Sequence, residues 1–141
     1  MQTFASGSTR ADVDPVTLLI AEDNPLNQQI VLKMVERFGY RADIANNGEE
    51  AVEALASGDY ALILMDCQMP RMTGFEATQE IRKRHPERHL PIIAVTANTM
   101  PGDRERCLAA GMNDYLPKPV VQKDLLDAIE RWLTPESASR V

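Results

Sequence analysis

Apolar positions along the chain change rhythm several times. Short apolar runs occur at "TLLIA" (17–21), "RADIAN" (41–46), "YALILMD" (60–66), "PIIAVTA" (91–97) and "DYLPKP" (114–119). Each is short enough for a strand and bounded by polar or turn-forming residues. Between them the apolar period lengthens to that of a helix. Asn24-Pro25 supplies an N-cap and a first helical residue, and Leu26, Ile30, Val31, Met34, Val35 and Phe38 follow at helical spacing until Gly39 stops them. "GEEAVEALASG" (48–58) turns Ala51, Val52 and Leu55 to one side. "FEATQEIRKRH" (75–85) reads as a helix ended before Pro86, and "GDRERCLAAG" (102–111) as a helix with a glycine stop. "KDLLDAIERWL" (123–133) is amphipathic and predicts Leu125, Leu126, Ile129 and Trp132 as its inward face.

Strands alternating with helices predict an α/β domain with a parallel sheet covered on both faces, a doubly wound arrangement. The near-continuous apolar runs "ALILM" and "IIAV" suit strands buried on both sides. One such domain fills residues 17–133. Residues 1–16 are polar and unpatterned, as expected of a disordered tail or linker, and 134–141 form a polar C-terminal tail.

The chain has 141 residues, 44% of them hydrophobic, which suits one packed core. A formal net charge of -6 argues against nucleic-acid binding, which needs a basic patch or stripe. No apolar run is long enough to span a membrane, and the start lacks the pattern of a signal peptide. Two cysteines, Cys67 and Cys107, are too few for a disulfide scaffold, so a reducing, cytoplasmic setting is expected.

Ligands of open α/β sheets bind at the carboxyl ends of the strands. Here those ends carry Glu22-Asp23, Asp66, Thr96-Ala97 and Lys118-Pro119. Three carboxylates, a hydroxyl and an ammonium would converge at one edge. Crowded carboxylates repel, and hard oxygen donors suit Mg²⁺. A carboxylate can also act as a nucleophile and form an aspartyl-phosphate, with a cation and a lysine neutralising the phosphoryl charge.

In order along the chain, "AEDN" (21–24), "LMDCQMPRMTGFEA" (64–77), "VTAN" (95–98) and "GMNDYLPKP" (111–119) resemble the receiver domain of two-component response regulators. The resemblance covers about residues 17–133. It implies a flavodoxin-like fold of five β–α units with strand order 2-1-3-4-5. It implies that Asp66 is the phospho-acceptor and that Glu22, Asp23, Asp66 and the backbone carbonyl of Gln68 hold Mg²⁺. It makes Thr96 and Tyr115 the switch residues, Lys118 the partner of the phosphoryl group, and Lys118-Pro119 a cis bond. Gln68 and Asn98 take positions that tune phosphoryl lifetime in the family. Thr73 stands where an acid is often seen, a neutral loop change.

The implied phosphodonor is a histidine kinase or its phosphohistidine domain. The wording of "EDNPLNQQI" and "MDCQMP" looks like the receiver of a hybrid histidine kinase, which would relay to a histidine phosphotransfer protein. The parent could then be tethered to a membrane through its sensor. Leu26, Ile30, Pro119, Val120 and Val121 would form the partner surface, although Leu26 and Ile30 could equally be core. Homodimerisation on phosphorylation is compatible with the resemblance. A stand-alone regulator and a degenerate receiver that only binds protein are the alternatives.

Blander readings stand beside these. Asp66 alone could cap a helix, Lys118 could be solvated, and Thr96 could simply close a strand. Cys67 reads as a buried inert thiol, and His85 and His89 as surface residues. A phosphatase of the haloacid dehalogenase type would carry a second acid two residues after its nucleophile, where this chain has Gln68. A dinucleotide-binding turn would need glycines that "AEDNPLN" lacks.

Overall fold

The computed structural model describes residues 16–97 and 101–133. The readings made for the two tails, and for Asn98, fall largely or wholly outside them. Five strands alternate with helices: β1 (Thr17–Ala21), β2 (Arg41–Ala45), β3 (Leu62–Asp66), β4 (Ile92–Thr96) and β5 (Asp114–Pro117). The helices among the described residues are α1 (Pro25–Arg37), α2 (Gly48–Ser57), α3 (Gly74–Arg84), α4 (Asp103–Ala110) and α5 (Gln122–Leu133). All neighbouring strands pair in parallel, and the sheet order is β2-β1-β3-β4-β5, as expected.

Burial follows that order. Every residue of the interior strands β3 and β4 is buried, whereas the edge strand β2 alternates with solvent and β5 is only partly buried. Alternate strand residues feed two cores. Leu19, Ile63, Met65 and Ile92 meet Val52 and Leu55 of α2 and Ile81 of α3 on one face. Leu18, Ile20, Leu64 and Ile93 meet Val35 of α1 and Leu125 and Ile129 of α5 on the other.

Local chemistry sets the helix ends. The Asn24 side chain accepts from the backbone N–H of Leu26 at 2.9 Å and of Asn27 at 3.1 Å, with Pro25 opening α1. Thr73 and Glu76 form a reciprocal capping box on α3. Gly39 and Gly111 take the left-handed backbone that closes α1 and α4, at φ 92° and 108°.

Several expectations need correction. The inward stripe of α1 is Gln28, Val31 and Val35. Leu26 is 68% and Ile30 43% exposed, so neither is core. On α5, Leu126 and Trp132 are half-buried, and the Trp132 indole N–H donates to Asp114 Oδ2 at 2.9 Å. His85 is half-buried and caps the C-terminus of α3, its backbone N–H bonded to the Ile81 carbonyl, whereas His89 is exposed as expected. The apolar spacing of residues 75–85 gave no sign that the last of them turns off the helix.

The loop after β3 returns tightly onto the strand it leaves. The Gly74 N–H donates to the Cys67 carbonyl at 3.0 Å. A Cβ on Gly74 would press on the Asp66 carbonyl and stand 2.9 Å from Cys67 Cα. Both neighbours are backbone and cannot step aside. Gly74→Ala is therefore expected to cost about 1–3 kcal/mol of folding stability. Urea denaturation would show a lower midpoint at an unchanged slope; a midpoint equal to that of the unaltered chain would mean that α3 shifts freely.

Candidate functional site

The sheet order brings the carboxyl ends of β1 and β3 side by side, with β4 and then β5 following. Glu22 leaves β1, its N–H held by the Ala45 carbonyl at 3.0 Å. Asp66 ends β3 opposite Val95 of β4, one residue before Thr96. One carboxylate oxygen from each of Glu22, Asp23 and Asp66 can be chosen so that all lie within 4.8 Å of one another. Glu22 and Asp66 are buried, at 4% and 3% exposure, and Asp23 is exposed.

Lys118 makes this crowd tolerable. Its Nζ lies 3.1 Å from Glu22 Oε1 and 3.1 Å from Asp66 Oδ2. The loop carrying it is pinned at the Lys118 N–H, which donates to the Thr96 carbonyl at 2.8 Å, and Lys118-Pro119 is cis as expected. Burial draws the Lys118 ammonium down, but its bonds to Glu22 and Asp66 outweigh that and raise it above the ordinary lysine value. A raised value means the fold holds this proton more tightly than the unfolded chain. The resulting stability is present below the ordinary lysine range and fades above it.

The other carboxylate positions are also fixed. Asp66 Oδ1 accepts from the Gln68 N–H at 3.1 Å, and Glu22 Oε2 from the Asn24 N–H at 3.0 Å. Asp66 is thus gripped on both oxygens, one by an ammonium and one by a backbone amide. Such a carboxylate is fixed in direction, as a nucleophile requires.

Thr96 is buried at the end of β4, and its side chain hydrogen-bonds the Cys67 sulfur. Tyr115 is half-buried against the core that holds Cys67 and Cys107. Burial, and then the charge of Asp103, raise its phenol above the ordinary value. Burial pushes the Cys67 thiol up to about 12, with Cys107 adding to the shift. The thiol beside Asp66 therefore stays protonated at neutral pH, in keeping with the inert reading.

Two residues near the acids escaped the sequence reading. Gln28 is a buried polar residue on α1, and Cys107 hydrogen-bonds Cys67 across the interface of α4 with the sheet. The signal for Gln28 was present: an amide where the stripe of Val31 and Val35 calls for an apolar residue. Cys107 carried no such signal, because its partner is remote in sequence. Beside the acids, a cavity of about 340 Å³ is lined by Glu22, Ile30, Lys118, Pro119 and Val120. Ile30, which lines it, is exposed, and so are Leu26 and Val121.

The acid cluster fits a hard divalent cation. Its donors are carboxylate oxygens, and three negative charges face a single ammonium. Among the described residues no helix is long and apolar enough to cross a membrane.

Comparison with known proteins agrees with the geometry. The family described as the response regulator receiver domain matches residues 18–130. The hybrid signal transduction histidine kinase B of Dictyostelium discoideum is 46% identical over 122 residues, spanning 77% of this chain. The chain covers only 6%, 7% and 3% of the lengths of three hybrid signalling relatives from that organism. The receiver domain of sensor histidine kinase PA1611 from Pseudomonas aeruginosa PAO1, with a magnesium ion coordinated in its active-site cleft, superposes at a TM-score of 0.79. It is 44% identical, with 85% of this chain and 98% of that one covered. A chain from the co-crystal of Saccharomyces cerevisiae Ypd1 with the Ssk1 receiver domain matches at TM-score 0.79 and 33% identity. That match covers 87% of this chain and 92% of its own.

Removing the ammonium tests its assigned role. Lys118→Ala leaves two buried carboxylates facing each other and is expected to cost about 1–3 kcal/mol at neutral pH without divalent cations. The loss should shrink when Mg²⁺ supplies the missing positive charge. Urea denaturation with and without Mg²⁺ decides it. An equal loss in both would assign the effect to the packing of the lysine stem.

Proposed function

The chain belongs to the response regulator receiver family, and we propose that it accepts a phosphoryl group on Asp66 from a phosphohistidine and relays it within a hybrid-kinase pathway. The observation that carries this reading is the Asp66 carboxylate itself, buried and held by Lys118 and the Gln68 amide beside two further acids. A carboxylate oxygen of Asp66 attacks phosphorus. The P–N bond to the donor imidazole breaks, and the imidazole leaves with the electron pair and takes up a proton. Lys118 neutralises charge on the phosphoryl oxygens, and the Thr96 hydroxyl turns from Cys67 to hydrogen-bond them. Glu22, Asp23, Asp66 and the Gln68 carbonyl would hold Mg²⁺, which supplies positive charge for the phosphoryl group.

Movement of Thr96 draws Tyr115 with it and biases the α4–β5–α5 face between two states. The exposed Leu26 and Ile30, with Pro119 and Val120, offer the partner surface for a histidine phosphotransfer domain. Their exposure and the adjoining cavity support that use over the core reading.

The test of the phospho-acceptor is intact mass after incubation with acetyl phosphate. One phosphoryl adduct is expected with Mg²⁺, and none with chelator or in Asp66→Asn. No adduct under any condition would favour a degenerate, protein-binding receiver. The partner surface has its own test. Ile30→Asp should slow transfer from a phosphorylated histidine phosphotransfer domain by about tenfold or more, one desolvated contact being worth more than about 1.4 kcal/mol. Labelling by acetyl phosphate should be unchanged. Equal slowing of both reactions would place the defect in the site, not the surface.

A further inference from the structure

We propose that Gln28 is a positioning residue for the divalent-cation site, acting through the peptide bond that joins Glu22 to Asp23. The inference rests on reading the acid cluster as that site. Gln28 lies in the first turns of α1 and is 8% exposed. Its Nε2 donates to the Glu22 carbonyl at 2.6 Å and to Asn46 Oδ1 at 2.8 Å. Both amide protons therefore have acceptors, and the two acceptors together fix which way the amide faces.

The second acceptor is itself oriented. Asn46 donates its backbone N–H to Glu50 Oε1 at 2.8 Å and its Nδ2 to the same oxygen at 3.0 Å. With its NH₂ turned toward α2, Asn46 must present its oxygen to Gln28. A chain of fixed groups thus runs from α2, through the end of β2, to the carbonyl of Glu22.

That carbonyl matters because it belongs to the peptide unit whose nitrogen is that of Asp23. The Glu22 N–H is already held by Ala45, and its side chain by Lys118 and Asn24. Asp23 is the exposed member of the acid cluster. Gripping the preceding carbonyl sets the direction in which Asp23 leaves β1, and so its distance from Asp66. Burying an amide on α1 costs stability unless both its protons are bonded. An apolar residue would fill the position without that demand, so the amide has a use that packing does not supply. Groups that orient metal-binding side chains are commonly worth 10–100-fold in metal affinity.

Gln28→Met keeps the length and apolar stem and removes both donors. Titration calorimetry with Mg²⁺ on the folded chain should show Kd raised by about 10–100-fold. Glu50→Ala, which only frees Asn46, should raise it by a few-fold, since orienting partners act in a graded way. Circular dichroism and a urea midpoint measured without metal report the fold separately. A purely structural role would lower the midpoint and leave Kd within about twofold of the unaltered chain, well short of the change expected of an orienting group; that result overturns the proposal. If Gln28→Met does not fold, Glu50→Ala decides, its raised Kd supporting the proposal and an unchanged one overturning it. Absence of Mg²⁺ uptake by the unaltered chain would instead overturn the reading of the acid cluster itself.

Discussion

Two carboxylates buried at the end of a sheet, sharing one ammonium, are the constraint around which the rest of the domain is arranged. An unpaired charge buried at Glu22 or Asp66 would cost several kcal/mol. Lys118, at 3.1 Å from each, is the group that pairs with both. The lysine must therefore arrive at one place from the last strand, while the acids arrive from the first and third. A parallel sheet with β1 beside β3, and β4 and β5 following, brings all of them to one edge. The topology is thus the means by which a charge arrangement of this kind is held.

Rigidity is needed as much as proximity. The floor of the site is built from elements that cannot drift: two fully buried strands, a capping box on α3, and a glycine at residue 74 that lets α3 close against the Asp66 carbonyl. Asp66 is held on both oxygens before any ligand arrives, which lowers the cost of organising the site at the moment of reaction. Cys67 next to it is kept protonated by burial, so no thiolate competes with the carboxylate for an electrophile.

Much of this was legible in the sequence, for identifiable reasons. Continuous apolar runs marked the buried strands β3 and β4, and Gly39 and Gly111 marked helix ends through the backbone only glycine takes readily. The family resemblance carried the strand order and the roles of the strand-end residues; the ends of the apolar runs alone brought carboxylates and a lysine to one edge. Periodicity failed where it met a polar group with a tertiary partner. Leu26 and Ile30 fit the helical spacing of α1 yet are exposed, because Gln28 occupies the end of the inward stripe. Its reason for being there, the Glu22 carbonyl and Asn46, lies in the segments that follow β1 and β2. Hydrogen bonds between remote segments leave no period in a sequence. For the same reason the Cys67–Cys107 contact was not foreseen.

Charge balance explains why the site is built with an excess of acid. Three carboxylates against one lysine leave a local charge near -2 (three minus one), which favours a divalent cation strongly and a monovalent one weakly. Converting the carboxylate of Asp66 to an acyl phosphate, as proposed, would bring a group of about -1.5 to -2 into the same space. Without a cation, that step would add negative charge where it is already in excess. With one bound, the site passes from near neutral to slightly negative, a change small enough to be met by a single reorientation of a hydroxyl donor. Thr96 lies one residue beyond the strand position paired with Asp66, and its side chain hydrogen-bonds the Cys67 sulfur. Sulfur is a weak acceptor, so a phosphoryl oxygen would make the stronger partner for such a hydroxyl.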